Sequence, residues 1–185
     1  MGQLDNLKLL KEKAAAVQMV VSEVDAMHGA FQYAVDLTKK QGGSRIAAPG
    51  IGGKDLKQLK ALCEENGLTL LTQDLREHVG QIAVGLTTVE WGIAETATLV
   101  MDSTPEDFRI ATMLSETHVA VLRASNIVPD AMAIEEQLSL ALASAPRYLA
   151  FISGASRTAD IERVLTIGVH GPRELHLLIL EEAKK

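Results

Sequence analysis

The sequence holds a single cysteine, Cys63, among 185 residues. One thiol cannot form a disulfide within this sequence, and it cannot supply the roughly four ligands that an iron–sulfur cluster takes. We therefore expect a reducing compartment, namely the cytoplasm, and no iron–sulfur cofactor in this chain. Because Cys63 falls on the apolar side of a predicted helix, we also expect a buried, unreactive thiol.

Aromatic residues and positive charge are also scarce. Aromatics make up 3% of the chain, so Leu, Ile, Val, Ala and Met must build the core. The 18 Lys and Arg residues are outnumbered by 24 Asp and Glu residues, and the net charge is -6. A nucleic-acid-binding domain carries a basic surface, so we expect no nucleic-acid partner. This charge balance still allows a local basic pocket for a small anion.

Long apolar runs are missing as well. No uninterrupted run approaches the ~20 apolar residues of a membrane helix, so we expect no membrane span. The first residues, MGQLDNLKLLKEK, place charges between apolar side chains and lack the apolar segment of a signal peptide. No spacing of histidines, cysteines or carboxylates matches a metal site.

The first part of the chain shows helical spacing. Apolar residues recur at intervals of three and four from Leu4 to Met27, which predicts one helix, and a second helix is predicted from Ala30 to Lys40. We therefore predict an N-terminal helical extension, residues 1–44, that packs on an α/β domain, residues 45–185. The length fits one globular domain in total.

From residue 45 onwards, apolar runs alternate with helical segments. Continuous apolar runs indicate strands that are covered on both faces. The alternation predicts an α/β fold with a mostly parallel sheet and helices on both faces. The predicted strands are Arg45–Ala48, Leu68–Thr72, Ile82–Val84, Thr98–Met101, His118–Leu122, Tyr148–Ile152 and Leu175–Leu180, and the predicted helices are Lys54–Asn66, Pro105–Glu116, Pro129–Ser144 and Thr158–Thr166.

Ligands in open α/β sheets bind beyond the carboxyl ends of the strands, which directs attention to four loops. The glycine-rich loop Pro49–Asp55 matches no nucleotide-binding fingerprint, so a tight turn is the favoured interpretation. Glu90 and Glu95 lie among apolar residues, where a carboxyl group can act as a general acid or base. A structural role for Glu95, as a cap or an ion-pair partner, fits equally well.

The other two loops carry arginine, hydroxyl groups and histidine. Arg123 follows a strand, and its planar guanidinium suits a carboxylate or phosphate. In the last loop, Ser156 or Thr158 can instead cap a helix whose first turn contains Asp160. His170 stands in a turn before the final strand, where a solvated surface histidine is the simpler interpretation.

Four segments carry a recognisable combined pattern. They are IAETATLV (Ile93–Val100), VLRASNIVP (Val121–Pro129), ISGASRTADIE (Ile152–Glu162) and GVHGPRELHLLIL (Gly168–Leu180). In this order they resemble the LUD-domain family, and within it the lactate utilisation protein C group. The sequence departs from the family at Ala97, where glycine is usual, and at Ala155, where proline is common.

The resemblance implies a fold similar to that of sugar-phosphate isomerases and CoA transferases. It also implies a part in the oxidation of L-lactate to pyruvate, beside partner subunits that carry iron–sulfur clusters. Two alternatives stay open, a stand-alone enzyme acting on a sugar phosphate or CoA thioester and a sensor of small anions.

We expect a single cleft at the carboxyl edge of the sheet that binds a small organic anion. In this hypothesis two arginines hold the anion, hydroxyl groups donate hydrogen bonds, and Glu95 and His170 are the candidate proton-transfer residues. The predicted binding residues are Arg123, Ser153, Gly154, Ser156, Arg157, Thr158, Asp160 and Gly171.

Overall fold

The computed structural model describes residues 2–144, 146–158 and 166–181. Its α-helices are α1 (Gln3–Ala16), α2 (Met27–Lys40), α3 (Gly53–Glu65), α4 (Glu106–Met113) and α5 (Glu135–Ser144). Its strands are β1 (Val20–Val24), β2 (Arg45–Ala47), β3 (Thr69–Leu71), β4 (Val84–Val89), β5 (Trp91–Ile93), β6 (Thr98–Asp102), β7 (Thr117–Arg123), β8 (Ile127–Val128), β9 (Leu149–Ile152), β10 (Arg157–Thr158), β11 (Thr166–Ile167) and β12 (Glu174–Leu180).

The main sheet has six parallel strands in the order β1-β12-β7-β4-β2-β3. The central strand β7 is buried on both faces, because Val119 and Val121 pack into one apolar layer while Ala120 and Leu122 pack into the other. Its continuous apolar run therefore follows from two covered faces. The predicted α/β class with a mostly parallel sheet is confirmed.

Helices α2 and α3 cover one face of this sheet, where Phe31 and Leu59 are fully buried. Cys63 lies in the same layer, as expected, and burial raises the pKa of its thiol to about 11. Helix α4 packs on the other face so closely that a Cβ on Gly85 would collide with the carbonyl of Ala111. Helix α1 covers the same face through residues such as Leu10.

A second sheet, in the order β8-β5-β6-β9, lies on the α1 side of the main sheet. A side chain at Gly92 would collide with Leu122, so the glycine lets β5 pack directly on β7. The predicted strands at Thr98–Met101 and Tyr148–Ile152 do form, as β6 and β9. They pair antiparallel with each other in this second sheet rather than in the parallel one. A two-stranded ribbon joins β10 and β11.

The predicted helix from Leu4 to Met27 is wrong. Helix α1 ends at Ala16, Gln18 turns the chain with φ 57°, and Val20–Val24 forms β1 beside β12. Valines at three- and four-residue spacing also suit a strand, because β-branched side chains favour extended backbone. The N-terminal part is therefore not purely helical, and it contributes an edge strand to the main sheet.

Other boundaries differ less. The predicted strand at Ile82–Val84 begins at Val84 and runs to Val89. The predicted helix Thr158–Thr166 is wrong at both ends, which lie in β10 and β11, and its interior lies outside the described residues. Within the described residues, no helix is long and apolar enough to cross a membrane.

Candidate functional site

The turn between β5 and β6 is where the motif segments begin to meet. The backbone N–H of Ala94 donates to the carbonyl of Val128 at 2.8 Å, and that of Glu95 donates to the carbonyl of Pro129 at 3.1 Å. These two bonds join the segment Ile93–Val100 to the segment Val121–Pro129. Glu95 itself is exposed on this turn.

A chain of three hydroxyl groups extends from the same turn. Thr96 Oγ1 lies 2.7 Å from Thr98 Oγ1, which lies 2.6 Å from Ser153 Oγ. Thr98 is buried, whereas Thr96 and Ser153 are exposed at the two ends. Because each hydroxyl can donate or accept, the direction of the chain can reverse. Ser153 can therefore offer either a hydrogen or a lone pair to a ligand.

Gly154, the residue after Ser153, lies close to the guanidinium of Arg157. A Cβ on Gly154 would lie 3.4 Å from Nη2 of Arg157, so the guanidinium rests against the backbone next to Ser153. The same Cβ would lie 2.6 Å from the carbonyl oxygen of Val17, and Gly154 has φ 82°. Both the close approach and the left-handed backbone require glycine here. We call Thr96, Thr98, Ser153 and Arg157 the hydroxyl cluster.

The last motif segment joins the third. The N–H of Ser156 donates to the carbonyl of Pro172, and the N–H of Gly168 donates to the carbonyl of Ser156, both at 3.0 Å. A Cβ on Gly171 would lie 3.1 Å from the Cβ of Ser156. All four segments that carry the resemblance are therefore connected to one another by contacts.

The third and fourth motif segments do not meet at the carboxyl edge of the main sheet, where the site was predicted. Gly154 contacts Val17, which precedes β1, and the N–H of Arg173 donates to the carbonyl of Glu116, which precedes β7, at 2.8 Å. These contacts lie at the amino edge of the parallel sheet. The predicted location at the carboxyl edge is wrong because β9 belongs to the second sheet, so its carboxyl end is not at the carboxyl edge of the first.

Arg123 and His170 do not share a site. Arg123 ends the seven-residue strand β7 and is exposed at the carboxyl edge. His170 and Gly171 line an open groove of about 450 Å³ together with Glu116, at the start of that strand. Six steps of extended chain separate the two ends by about 20 Å. The single cleft that was to contain both residues is therefore not formed.

The remaining predicted residues have simple placements. Thr158 belongs to the ribbon strand β10, and Asp160 lies outside the described residues. Glu90 accepts a hydrogen bond from the backbone N–H of Asp102 at 3.1 Å, and burial of its carboxyl group raises its pKa. Ala97, where the family usually has glycine, is fully buried and still adopts φ 49°.

One polar chain was missed by the sequence reasoning. The hydroxyl of Tyr33 lies 2.8 Å from Nδ1 of His176, and Nε2 of His176 lies 2.9 Å from Oε2 of Glu174. The two-residue spacing of Glu174 and His176 places them on one face of a strand, but nothing in the sequence pairs them with a tyrosine 143 residues away. Within the described residues, no group of three or more potential ligands forms a metal site.

Known proteins resemble this chain along most of its length. The LUD domain family model matches residues 7–180. The chain is 33% identical over 111 residues to "Lactate utilization protein C" of Halalkalibacterium halodurans, covering 58% of this chain and 48% of that protein. It is 36% identical over 105 residues to "Uncharacterized protein YkgG" of Escherichia coli, covering 55% and 46%. The chain spans about half the length of the curated relatives that it matches.

A solved structure agrees with the fold. The crystal structure of a DUF162 family protein from Deinococcus radiodurans superposes with a TM-score of 0.68 at 21% identity, covering 97% of this chain and 99% of that chain. At that identity the likeness supports the fold alone. The residues matched by the family model include most of α1, all of β1 and α2, and the strands after them. This chain belongs to the LUD domain family.

Proposed function

We propose that this chain takes part in lactate utilisation and that the hydroxyl cluster binds a small organic acid in that process. The observation that carries the proposal is the 2.6 Å contact between Thr98 and Ser153, which joins two of the segments that carry the family resemblance. The names of relatives such as "Lactate utilization protein C" supply the process.

The chemistry of the cluster suits a 2-hydroxy acid and the corresponding 2-oxo acid. A guanidinium such as that of Arg157 binds a carboxylate through paired N–H groups. The second functional group of lactate is a hydroxyl, which can donate, whereas that of pyruvate is a carbonyl, which only accepts. Because the hydroxyl chain can reverse, Ser153 can accept from lactate or donate to pyruvate. Glu95, on the same turn as Thr96, is the candidate proton acceptor.

We place the electron acceptor in partner subunits. Oxidation of lactate to pyruvate releases two electrons and two protons, and the proposed partners carry iron–sulfur clusters that take up the electrons. The role of this chain is then to bind the organic acid and to contact those partners in the cytoplasm. Co-purification of cysteine-rich subunits with this chain tests the partner proposal separately from ligand binding.

Ligand binding can be tested by thermal unfolding of the purified chain with L-lactate, pyruvate or inorganic phosphate. A ligand present at 100 times its dissociation constant stabilises the fold by about 2.7 kcal/mol. We expect stabilisation by lactate and pyruvate that is lost in Arg157→Gln. Arg76→Gln is a suitable control, because Arg76 is exposed and pairs with Glu106 away from the cluster. If Arg157→Gln binds lactate normally and supports lactate-dependent growth, the assignment fails.

A further inference from the structure

A second groove lies at the amino edge of the main sheet. It has a volume of about 550 Å³, and its wall includes Gln41 at the end of α2, Thr117 at the start of β7 and Glu174 at the start of β12. We call it the amino-edge groove. The Nε2 group of Gln41 donates to Thr117 Oγ1 at 2.8 Å, which fixes one side of the wall.

Glu174 is held in place from within the protein. His176 is 5% exposed, and its Nε2 contacts Oε2 of Glu174 at 2.9 Å. An ionised carboxylate only accepts hydrogen bonds, so Nε2 carries the hydrogen. In the neutral imidazole Nδ1 is then bare and accepts from the hydroxyl of Tyr33 at 2.8 Å. One tautomer of His176 thus satisfies its hydrogen bonds to both Tyr33 and Glu174. These bonds orient the carboxylate of Glu174 before any ligand binds.

Among the residues that the structure describes, no arginine or lysine pairs with Glu174. Within the described residues its one ion-pair partner is His176, which is charged only if protonated. The groove wall also contains Glu116 and Arg173, whose charges offset each other because Arg173 Nε lies 3.1 Å from Glu116 Oε2. Glu174 therefore presents a fixed negative charge to the groove.

Helix α2 adds to this preference for positive charge. Its carboxyl-terminal end faces the groove through the cap residue Gln41, and a helix carries partial negative charge at that end. Of the two lysines in its last turn, Lys39 is directed to Asn66 at 2.9 Å, and Lys40 is not part of the groove wall. The partial negative charge at the end of α2 and the negative charge of Glu174 therefore both favour a cation in the groove.

We propose that the amino-edge groove binds a cationic nitrogen group, an ammonium or a guanidinium, with Glu174 as its counter-charge. His176 and Tyr33 are positioning residues that orient the carboxylate. This site is separate from the hydroxyl cluster. The cluster offers the positive charge of Arg157 to a ligand, whereas the groove offers the negative charge of Glu174. The cationic group can belong to a free amine or to a lysine or arginine side chain of another protein, and the two sources share this chemistry.

The proposal can be tested by NMR titration of the isotope-labelled chain. The probes are propylammonium chloride and a short Gly/Ser peptide with a single lysine, with sodium chloride as the salt control. We expect shifts at the backbone amides of Thr117 and Glu174, and binding at least about tenfold weaker in Glu174→Gln, since a charged hydrogen bond is lost. Glu181→Gln removes the same charge at the far end of β12 and should bind like the unaltered chain.

The two probes distinguish the source of the cation. Binding of propylammonium without binding of the peptide indicates a free amine, whereas binding of the peptide indicates that a side chain within a protein fits the groove. A thermal melt of each variant establishes that it is folded, which the exposed position of Glu174 favours. The proposal is overturned if neither probe shifts these amides beyond the salt control, or if Glu174→Gln binds as tightly as the unaltered chain.

Discussion

The buried imidazole of His118 should make this fold sensitive to acid. His118 lies on β7 and is 0% exposed, and its Nε2 contacts the hydroxyl of Thr87 on β4 at 2.9 Å. Its Nδ1 has no hydrogen-bond partner within the described residues. Burial lowers the pKa of His118 from 6.5 to about 4, because the charged form loses its hydration. The side chain therefore stays neutral in the folded protein at pH values where the unfolded chain takes up a proton.

The size of the effect follows from the two pKa values. The folded pKa lies below the unfolded one, so stability is present above pH 6.5 and is lost as the pH falls toward 4. A difference of about 2.5 pKa units corresponds to about 3.4 kcal/mol in full. At pH 5 the unfolded chain is almost fully protonated at this position and the folded chain is not, which costs about 2 kcal/mol.

The assay is urea unfolding at pH 7 and pH 5, compared between the unaltered chain and His118→Gln. The glutamine amide can keep the contact with Thr87 but cannot titrate. We expect the free energy of unfolding to fall by about 2 kcal/mol more in the unaltered chain than in the variant. Other titrating groups are common to both proteins and cancel. An equal loss of stability in the two proteins would show that His118 is not the cause.

Two further substitutions and one labelling reaction test the packing. Gly154→Ala should destabilise the fold by about 1–3 kcal/mol, because it forces a left-handed backbone and a contact with the Val17 carbonyl; urea unfolding measures this, and an unchanged midpoint would contradict it. Ala97→Gly should change stability by less than about 1 kcal/mol, because relief of the positive φ offsets the lost buried methyl group; a larger change in either direction would refute that balance. Cys63, with a pKa of about 11, should react with iodoacetamide at pH 8 only as fast as the chain unfolds, and rapid native labelling would be inconsistent with its burial.

The fold was predictable where packing and local preference agree. The run His118–Leu122 was predicted as a strand that is covered on both faces, and it is buried within β7. At Val20–Val24 the two signals conflict, because the valine spacing fits a helix while the β-branched side chains favour a strand. Pairing with β12 determines the outcome, and that contact is long-range in sequence. The second sheet escaped prediction for the same reason, since antiparallel pairing of β6 with β9 joins residues about fifty positions apart.

The candidate site shows the same division. The motif segments were found from the sequence, and contacts through Ser153 and Ser156 join them in the fold. Their location was not predictable, because the rule for carboxyl edges applies to parallel strands and β9 is antiparallel to β6. The hydrogen bonds that link Tyr33, His176 and Glu174 could not be predicted from the sequence. A hydrogen bond between a helix and a strand depends on how the two elements pack in the final fold.

Close packing requires some of the motif residues to be what they are, whereas it places no such requirement on others. Gly154 lies against Val17, and Gly171 lies against Ser156, so both glycines are required by close contacts within the fold. Ser153 and Arg157 are exposed, and neither fills a cavity in the core. Exposed polar residues that packing does not require are suited to binding. We therefore expect Gly154→Ala to lower both the stability of the fold and the affinity for lactate and pyruvate. Arg157→Gln should lower that affinity and leave the unfolding midpoint nearly unchanged.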